Sequence, residues 1–126
     1  MRYAQLPFFT REEMRQVHER LERLDNGCLV FHPVKHRPDT RNHHIRLRGR
    51  LWNVLRLMWS ETFATTIDAR NQLEMHDVGH IPECPNTGGT CGELICVEPS
   101  HLTLVDYKTR GAFAAERQKA YKEQTA

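Results

Sequence analysis

The stretch Cys91–Arg110, CGELICVEPSHLTLVDYKTR, spaces two thiols and an imidazole at intervals of five: Cys91, Cys96 and His101, with Pro99 before the histidine. Thiolate sulfur and neutral imidazole are the usual ligands of structural zinc, which takes four donors in a tetrahedral array. Gly92 and the short spacers allow a turn that aims both sulfurs inward, and Pro99 stiffens the approach to His101. Three donors are thus local, and the fourth must come from another cysteine. Cys84 stands seven residues before Cys91, and Cys28 stands far upstream. A clip through Cys28 would tie the first half of the chain to the knuckle and do more to hold a small core together. The bland alternative, buried cysteines beside an unrelated histidine, is weakened by three donors falling within eleven residues.

The rest of the composition sets the context. The chain has 126 residues, enough for one domain with one modest core, and 27% of them are charged. It has no apolar run of membrane length, and its opening, MRYAQLPFFTREEMRQ, turns charged too soon for a signal peptide. The expectation is a cytoplasmic protein with reduced thiols, in which a cysteine cluster means a metal site more than a disulfide framework.

Periodicity places the elements. Thr10 and Glu13 form a capping-box pattern, and Met14, Val17, Leu21 and Leu24 follow at helical spacing, which predicts a helix over 11–25 stopped by Asn26-Gly27. CLVFH, 28–32, reads as a short strand, and PVKHRPDTRN, 33–42, as a loop. HHIRLRGR, 43–50, alternates, so one strand would put His44, Arg46, Arg48 and Arg50 on one face and Ile45 and Leu47 on the other. LWNVLRLMWSETF, 51–63, is dense enough for a buried helix carrying Trp52 and Trp59 into the core. NQLEMHDV, 71–78, reads as a strand, GHIPECPNTGGT, 79–90, as a loop, and RGAFAAERQKAYKEQ, 110–124, as a C-terminal helix. With no internal repeat and no boundary, the prediction is a single α+β domain over 1–126.

Charge is distributed unevenly. Lys35, Arg37, Arg41, Arg46, Arg48, Arg50 and Arg56 face one acid, Asp39, whereas Glu61 to Asp106 holds eight acids against Arg70. The basic block suggests a phosphate-facing surface, with Arg41, Arg46, Arg48 and Arg50 as candidate nucleic-acid contacts. The acidic block repels DNA unless metals neutralise it, and could meet a host protein instead. The plainer reading of both is a solvated surface on which the two blocks pair with each other. His36, His43 and His44 lack thiol or carboxylate spacing and read as surface.

CGELICVEPSHLTLV resembles the zinc loop of phage-type HNH proteins and zinc-bound homing endonucleases of the His-Me finger superfamily. The match is best over Cys96, Val97, Glu98, Pro99, Ser100, His101 and Leu102. It extends upstream to Asn26-Gly27-Cys28, to Gly49-Arg50 after a basic strand, and to Arg56 on the following helix, so it covers about residues 25–112 in order. The resemblance implies a zinc-stabilised ββα-metal core, with the finger and zinc loop at about 70–120, flanked by N- and C-terminal helices. It favours Cys28 as the fourth ligand, with Cys84 as the alternative. It also implies a metal-dependent endonuclease acting on DNA, with a histidine at the end of the first strand as general base and Mg²⁺ or Mn²⁺ at the phosphate. A phage origin, and action inside a bacterial host, follow from the same resemblance.

The family pattern is broken at both catalytic places. The position of its base, two residues before Cys91, is Gly89, and the position of its cation-binding asparagine is Arg110. His76, at the end of the strand expected over 71–78, takes the place of the base if 79–90 is an insertion, and His80 is the other candidate. Asp106 or Asp77 could supply the hard oxygen ligand that Arg110 cannot. The alternative expectation is a degenerate finger without catalysis, which binds DNA or a host protein as a regulator or inhibitor.

Overall fold

The computed structural model describes residues 5–32, 44–86 and 95–106, together with Ala112, Ala115, Glu116, Gln118 and Lys119, which are helical. Its elements are α1 (Arg11–His18), β1 (Leu21–Arg23), β2 (Leu29–Phe31), β3 (His44–Leu47), β4 (Arg50–Asn53), α2 (Val54–Phe63), α3 (Ile67–Gln72), β5 (Asp77–His80) and β6 (Leu102–Val105), with a 3-10 turn at Pro99–His101. The fold is a small mixed one: among the described residues, three named helices and three separate antiparallel strand pairs, β1–β2, β3–β4 and β5–β6.

The helix expected over 11–25 stops at His18. Its capping box is present: the Thr10 side chain accepts from Glu13 N, and the Glu13 carboxylate from Thr10 N. Leu21 and Leu24 continue the helical spacing but belong to a hairpin, in which Leu21 faces Phe31 and Arg23 faces Leu29. Asn26-Gly27 turns the chain back. Gly27 takes φ +89°, which only glycine adopts freely, Leu24 N donates to Cys28 O at 2.8 Å, and Asn26 Oδ1 accepts from Cys28 N at 3.0 Å. A strand-to-strand turn thus stands where the periodicity predicts a helix stop.

The single strand expected over 43–50 is a hairpin as well. Arg48 and Gly49 both take positive φ, +52° and +74°, as a two-residue type I′ turn requires, and Leu47 pairs with Arg50 across it. Arg48 therefore leaves the face that Arg46 occupies. It is bound back to α1 through Glu13, at 2.7 and 2.8 Å, and its guanidinium lies 4.8 Å from the centre of the Phe9 ring. The ion pair and ring contact offset the cost of a left-handed non-glycine residue.

Trp52 consequently lies on β4 and not on a helix. It is buried opposite Ile45, and its Nε1 donates to Leu47 O at 3.0 Å. Helix α2 begins only at Val54, where the Asn53 side chain caps Leu55 N and Arg56 N. Val54, Leu55, Leu57, Met58 and Ser60 are all buried, as expected of a helix that is apolar on most of its faces. It forms the centre of a core completed by Leu6, Met14, Val17, Phe31, Ile45, Leu47, Leu73, Val78, Val97 and Leu102, while Trp59 is half-buried against it.

The segment read as a strand over 71–78 is instead the end of α3, capped by Thr66 at its start, followed by a turn and β5. Arg56 shapes that turn. It donates to His76 O at 2.8 Å and to Leu73 O, and lies 3.6 Å from the Asp77 carboxylate. A buried guanidinium needs such partners, and they hold α2 to the start of β5. Among the described residues, no helix is long and apolar enough to cross a membrane.

Candidate metal centre

Four donors converge at one end of the β5–β6 hairpin. Cys28 follows the Asn26-Gly27 turn and precedes β2. Cys84 lies in the turn beyond β5, where its N–H donates to Ile81 O at 3.1 Å. Cys96 forms an isolated bridge with Val30, beside Val97 N donating to Leu29 O at 2.6 Å. His101 ends the 3-10 turn, and its carbonyl accepts from Ile81 N at 2.9 Å. The β1–β2 hairpin is thus fastened to the 95–98 segment, and that segment returns to β5 through His101.

The three sulfurs and a ring nitrogen all lie within 4.8 Å of one another. Cys28 Sγ is 3.9 Å from Cys84 Sγ and 3.7 Å from His101 Nδ1, and Cys96 Sγ is 3.4 Å from His101 Nδ1. Bond lengths of about 2.3 Å to sulfur and about 2.0 Å to nitrogen give tetrahedral edges of about 3.8 Å between sulfurs and about 3.5 Å between sulfur and nitrogen. The three separations match those edges. The thiols are buried, with Leu24 and Ile81 packed around them, so the group can hold a metal ion shielded from solvent and is compatible with structural zinc.

Electrostatics divide the thiols. Cys96 is held down to about 4, first by the Cys84 thiol that donates to it, then by backbone hydrogen bonds from Glu98 and Leu29 and by His101, against the opposing effect of burial. The same contact with Cys96, together with burial, pushes Cys84 up, and burial followed by Cys96 raises Cys28. A thiolate favoured at Cys96 would give a cation its first anchor, and a bound cation favours deprotonation of the other thiols.

Polar links outside the donor set fix their positions. Asn26 Nδ2 donates to Asn86 Oδ1 at 2.9 Å, and Cys96 N donates to Asn86 O at 2.9 Å, so the two asparagines join the turns that carry Cys28, Cys84 and Cys96. Arg23 donates to Glu98 at 2.6 Å and bridges the first hairpin to the approach to His101. Burial works to raise Glu98, but Arg23 and Ser100 outweigh it and keep the carboxyl below its usual range. Spacing alone did not pick out these residues; the Asn-Gly pair before Cys28 was the one available signal.

The predicted ligands Cys28, Cys96 and His101 come together here, and Cys84 joins them. The two cysteines weighed for the fourth place both lie in the cluster, so four donors are assembled without Cys91, which falls outside the described residues. Gly89, Arg110 and Arg41 also fall outside them.

The two histidines exchange places relative to the expectation. His76 precedes β5, with its ring 3.1 Å from Gln72 O, whereas His80 ends the strand. The Nε2 of His80 lies 2.8 Å from Cys96 O, against the metal group. Asp77 and Asp106 lie at the opposite end of the hairpin: Asp77 pairs with Val105, and Asp106 follows directly. On β3–β4, His44 and Arg46 are exposed, Arg46 facing the exposed Leu51, while Arg50 lies 5.6 Å from the centre of the Trp52 ring. Comparison of the chain with known protein families, with curated proteins and with solved structures finds no match.

Proposed function

We propose that this chain is a zinc-stabilised nucleic-acid-binding protein of the HNH, His-Me finger type that cuts DNA phosphodiester bonds with a divalent cation. The observation that carries the reading is the order of elements around the Cys28–Cys84–Cys96–His101 group: strand β5, the metal-competent knuckle, strand β6, then helical residues from Ala112. Structural zinc is the natural occupant, because it favours a closed tetrahedral thiolate and imidazole set and needs no redox chemistry.

His80 suits the general base better than His76, since it ends β5 and its imidazole is already oriented against the Cys96 carbonyl. Mg²⁺ or Mn²⁺ would supply charge stabilisation at the phosphate; Asp77 and Asp106, at the far end of the hairpin from His80, are too distant to hold that cation beside a His80 base, so another oxygen donor would be needed there. Arg46 would take a phosphate from the exposed face of the β3–β4 ribbon; Arg50, opposite Leu47 and beside the Trp52 ring, lies on the other face and not with Arg46 as the alternation predicts, so it would reach a phosphate only from that side. Arg48 contributes less there, because Glu13 already neutralises it.

A second reading rests on one observation. Asp77 is ion-paired with Arg56, and a carboxylate so engaged is a poorer cation ligand. A finger of this kind would bind DNA, or a host protein through its acidic half, and regulate without cutting. Nicking of supercoiled plasmid in Mg²⁺ or Mn²⁺ separates the two. The endonuclease reading expects nicking that His80→Ala abolishes at unchanged zinc content and that His76→Ala leaves intact. DNA left whole with every divalent ion, but shifted in a gel, would sink the enzyme and leave the binding finger.

A further inference from the structure

Helix α2 and the Phe8–Phe9 segment line a half-open cavity of about 210 Å³, remote in sequence from the metal donors. Phe8, Phe9, Met14 and Leu57 form its apolar wall, and Thr65 and Arg70 contribute polar groups. Arg70 is 6% exposed. It donates to Ala64 O and to Pro7 O, each at 2.7 Å, and the Phe8 ring lies 4.1 Å from its guanidinium carbon. A guanidinium offers five N–H donors. Among the described residues it uses two of them, and no carboxylate lies within ion-pair distance.

A buried charge with no carboxylate in contact is costly: burial lowers the affinity of Arg70 for its proton, and the charge of Glu61 opposes this only in part. Glu61 also lines the cavity, but at its rim, where the carboxylate lies 2.8 Å from His18 Nε2. That contact with His18 leaves the Arg70 guanidinium with no carboxylate within ion-pair distance among the described residues. A void of about 150 Å³ lined by apolar side chains holds a benzene ring. This larger space has room for a ring and one carboxylate, with the ring against Phe9, Met14 and Leu57 and the carboxylate on the unused N–H groups of Arg70.

We propose that the Arg70 cavity binds a small organic carboxylate with a flat apolar body. The site is independent of the metal group and of DNA. The test titrates benzoate, benzyl alcohol and inorganic phosphate separately into the full-length protein, followed by amide chemical shifts. Benzoate should shift the signals of residues 60–70 saturably, with a dissociation constant of about 1 mM for a ligand of this size. Benzyl alcohol should bind at least about tenfold more weakly, since it lacks the charge for a bidentate contact. Phosphate should not saturate. Thr65→Phe, at an exposed position on the rim, should block benzoate without altering the rest of the spectrum, and Arg70→Lys should weaken it. No saturable benzoate shift overturns the proposal. So does equal affinity for benzyl alcohol, which would make the cavity an apolar hole, or for phosphate, which would make it a general anion site. Unchanged binding in Thr65→Phe would place the ligand elsewhere and overturn it as well.

Discussion

The side chains around α2 and the donors around Cys96 are both buried, yet they hold the chain in different ways. The first group is aliphatic and aromatic, large and redundant, and each member contributes through area removed from water. The second is three thiols and an imidazole with, among the described residues, Leu24 and Ile81 against the sulfurs. Its surroundings, two turns, a 3-10 turn and the 95–98 segment, supply little apolar area of their own. If the group holds a metal ion, this region depends on bond formation at one point, and loss of one donor there would be felt by all the segments that meet at it.

The largest effect should therefore come from breaking the metal group. Cys96→Ser, or a strong chelator applied to the zinc-loaded protein, should remove the metal and unfold the chain. The apparent binding free energy of structural zinc in small domains, about 10–16 kcal/mol, is as large as the whole stability of a typical domain. Metal analysis and circular dichroism on the same samples measure both. Cys28→Ser and Cys84→Ser should behave like Cys96→Ser, and Cys91→Ser should keep about one zinc per chain. Zinc retained in Cys84→Ser and lost in Cys91→Ser would return the fourth place to the knuckle cysteine.

A core substitution should give the opposite pattern. Leu57 is 1% exposed at the middle of α2, and Leu57→Ala should lower the unfolding free energy by about 2–5 kcal/mol in denaturant. The folded fraction should still carry its full complement of zinc. Loss of metal from folded Leu57→Ala would mean that the two regions are not separable.

The smallest effect sharpens the boundary between α1 and the β3–β4 turn. Arg48 and the cap of α1 hold the Glu13 carboxyl at about 2, below its ordinary 4.5. A carboxylate lowered on folding stabilises fully above its unfolded value, and that contribution fades as pH falls from 4.5 towards 2. Glu13→Gln should lower the melting temperature slightly at neutral pH, and the gap from the wild type should narrow below pH 4.5. Added salt should narrow it too, because the pair is exposed. A gap that stays constant from neutral to pH 4.5 and below would show that capping geometry, not charge, makes the difference.

These contrasts also explain what could be read from the residues alone. Thr10 and Glu13 announce the start of α1 because capping is a local contact, and the dense apolar run around Leu57 announces a buried helix for the same reason. The end of α1 was not legible, since Leu21 and Leu24 keep a helical spacing while their backbone pairs with β2. Arg48 misled in the same way: alternation continued through a turn that reverses the chain. At the metal group, the ligand types and the partnership of Cys96 with His101 could be read from a five-residue interval. The convergence of both Cys28 and Cys84 could not, because it depends on how the hairpins dock. Asn86, Arg23 and Arg56 matter through partners distant in sequence that no spacing encodes.

The position of Cys28 has a consequence for how the chain assembles. It lies 56 residues from Cys84 and 73 from His101, whereas Cys84, Cys96 and His101 fall within one short stretch. Three donors can gather around an ion while the remainder of the polypeptide is still unfolded, since closing a loop of that size is fast and entropically mild. Engaging Cys28 closes a far longer loop. By analogy with a covalent cross-link of that length, the ion then removes about 4 kcal/mol of freedom from the unfolded ensemble. It becomes a long-range tether whose last bond commits α2 and the strands between to a single arrangement.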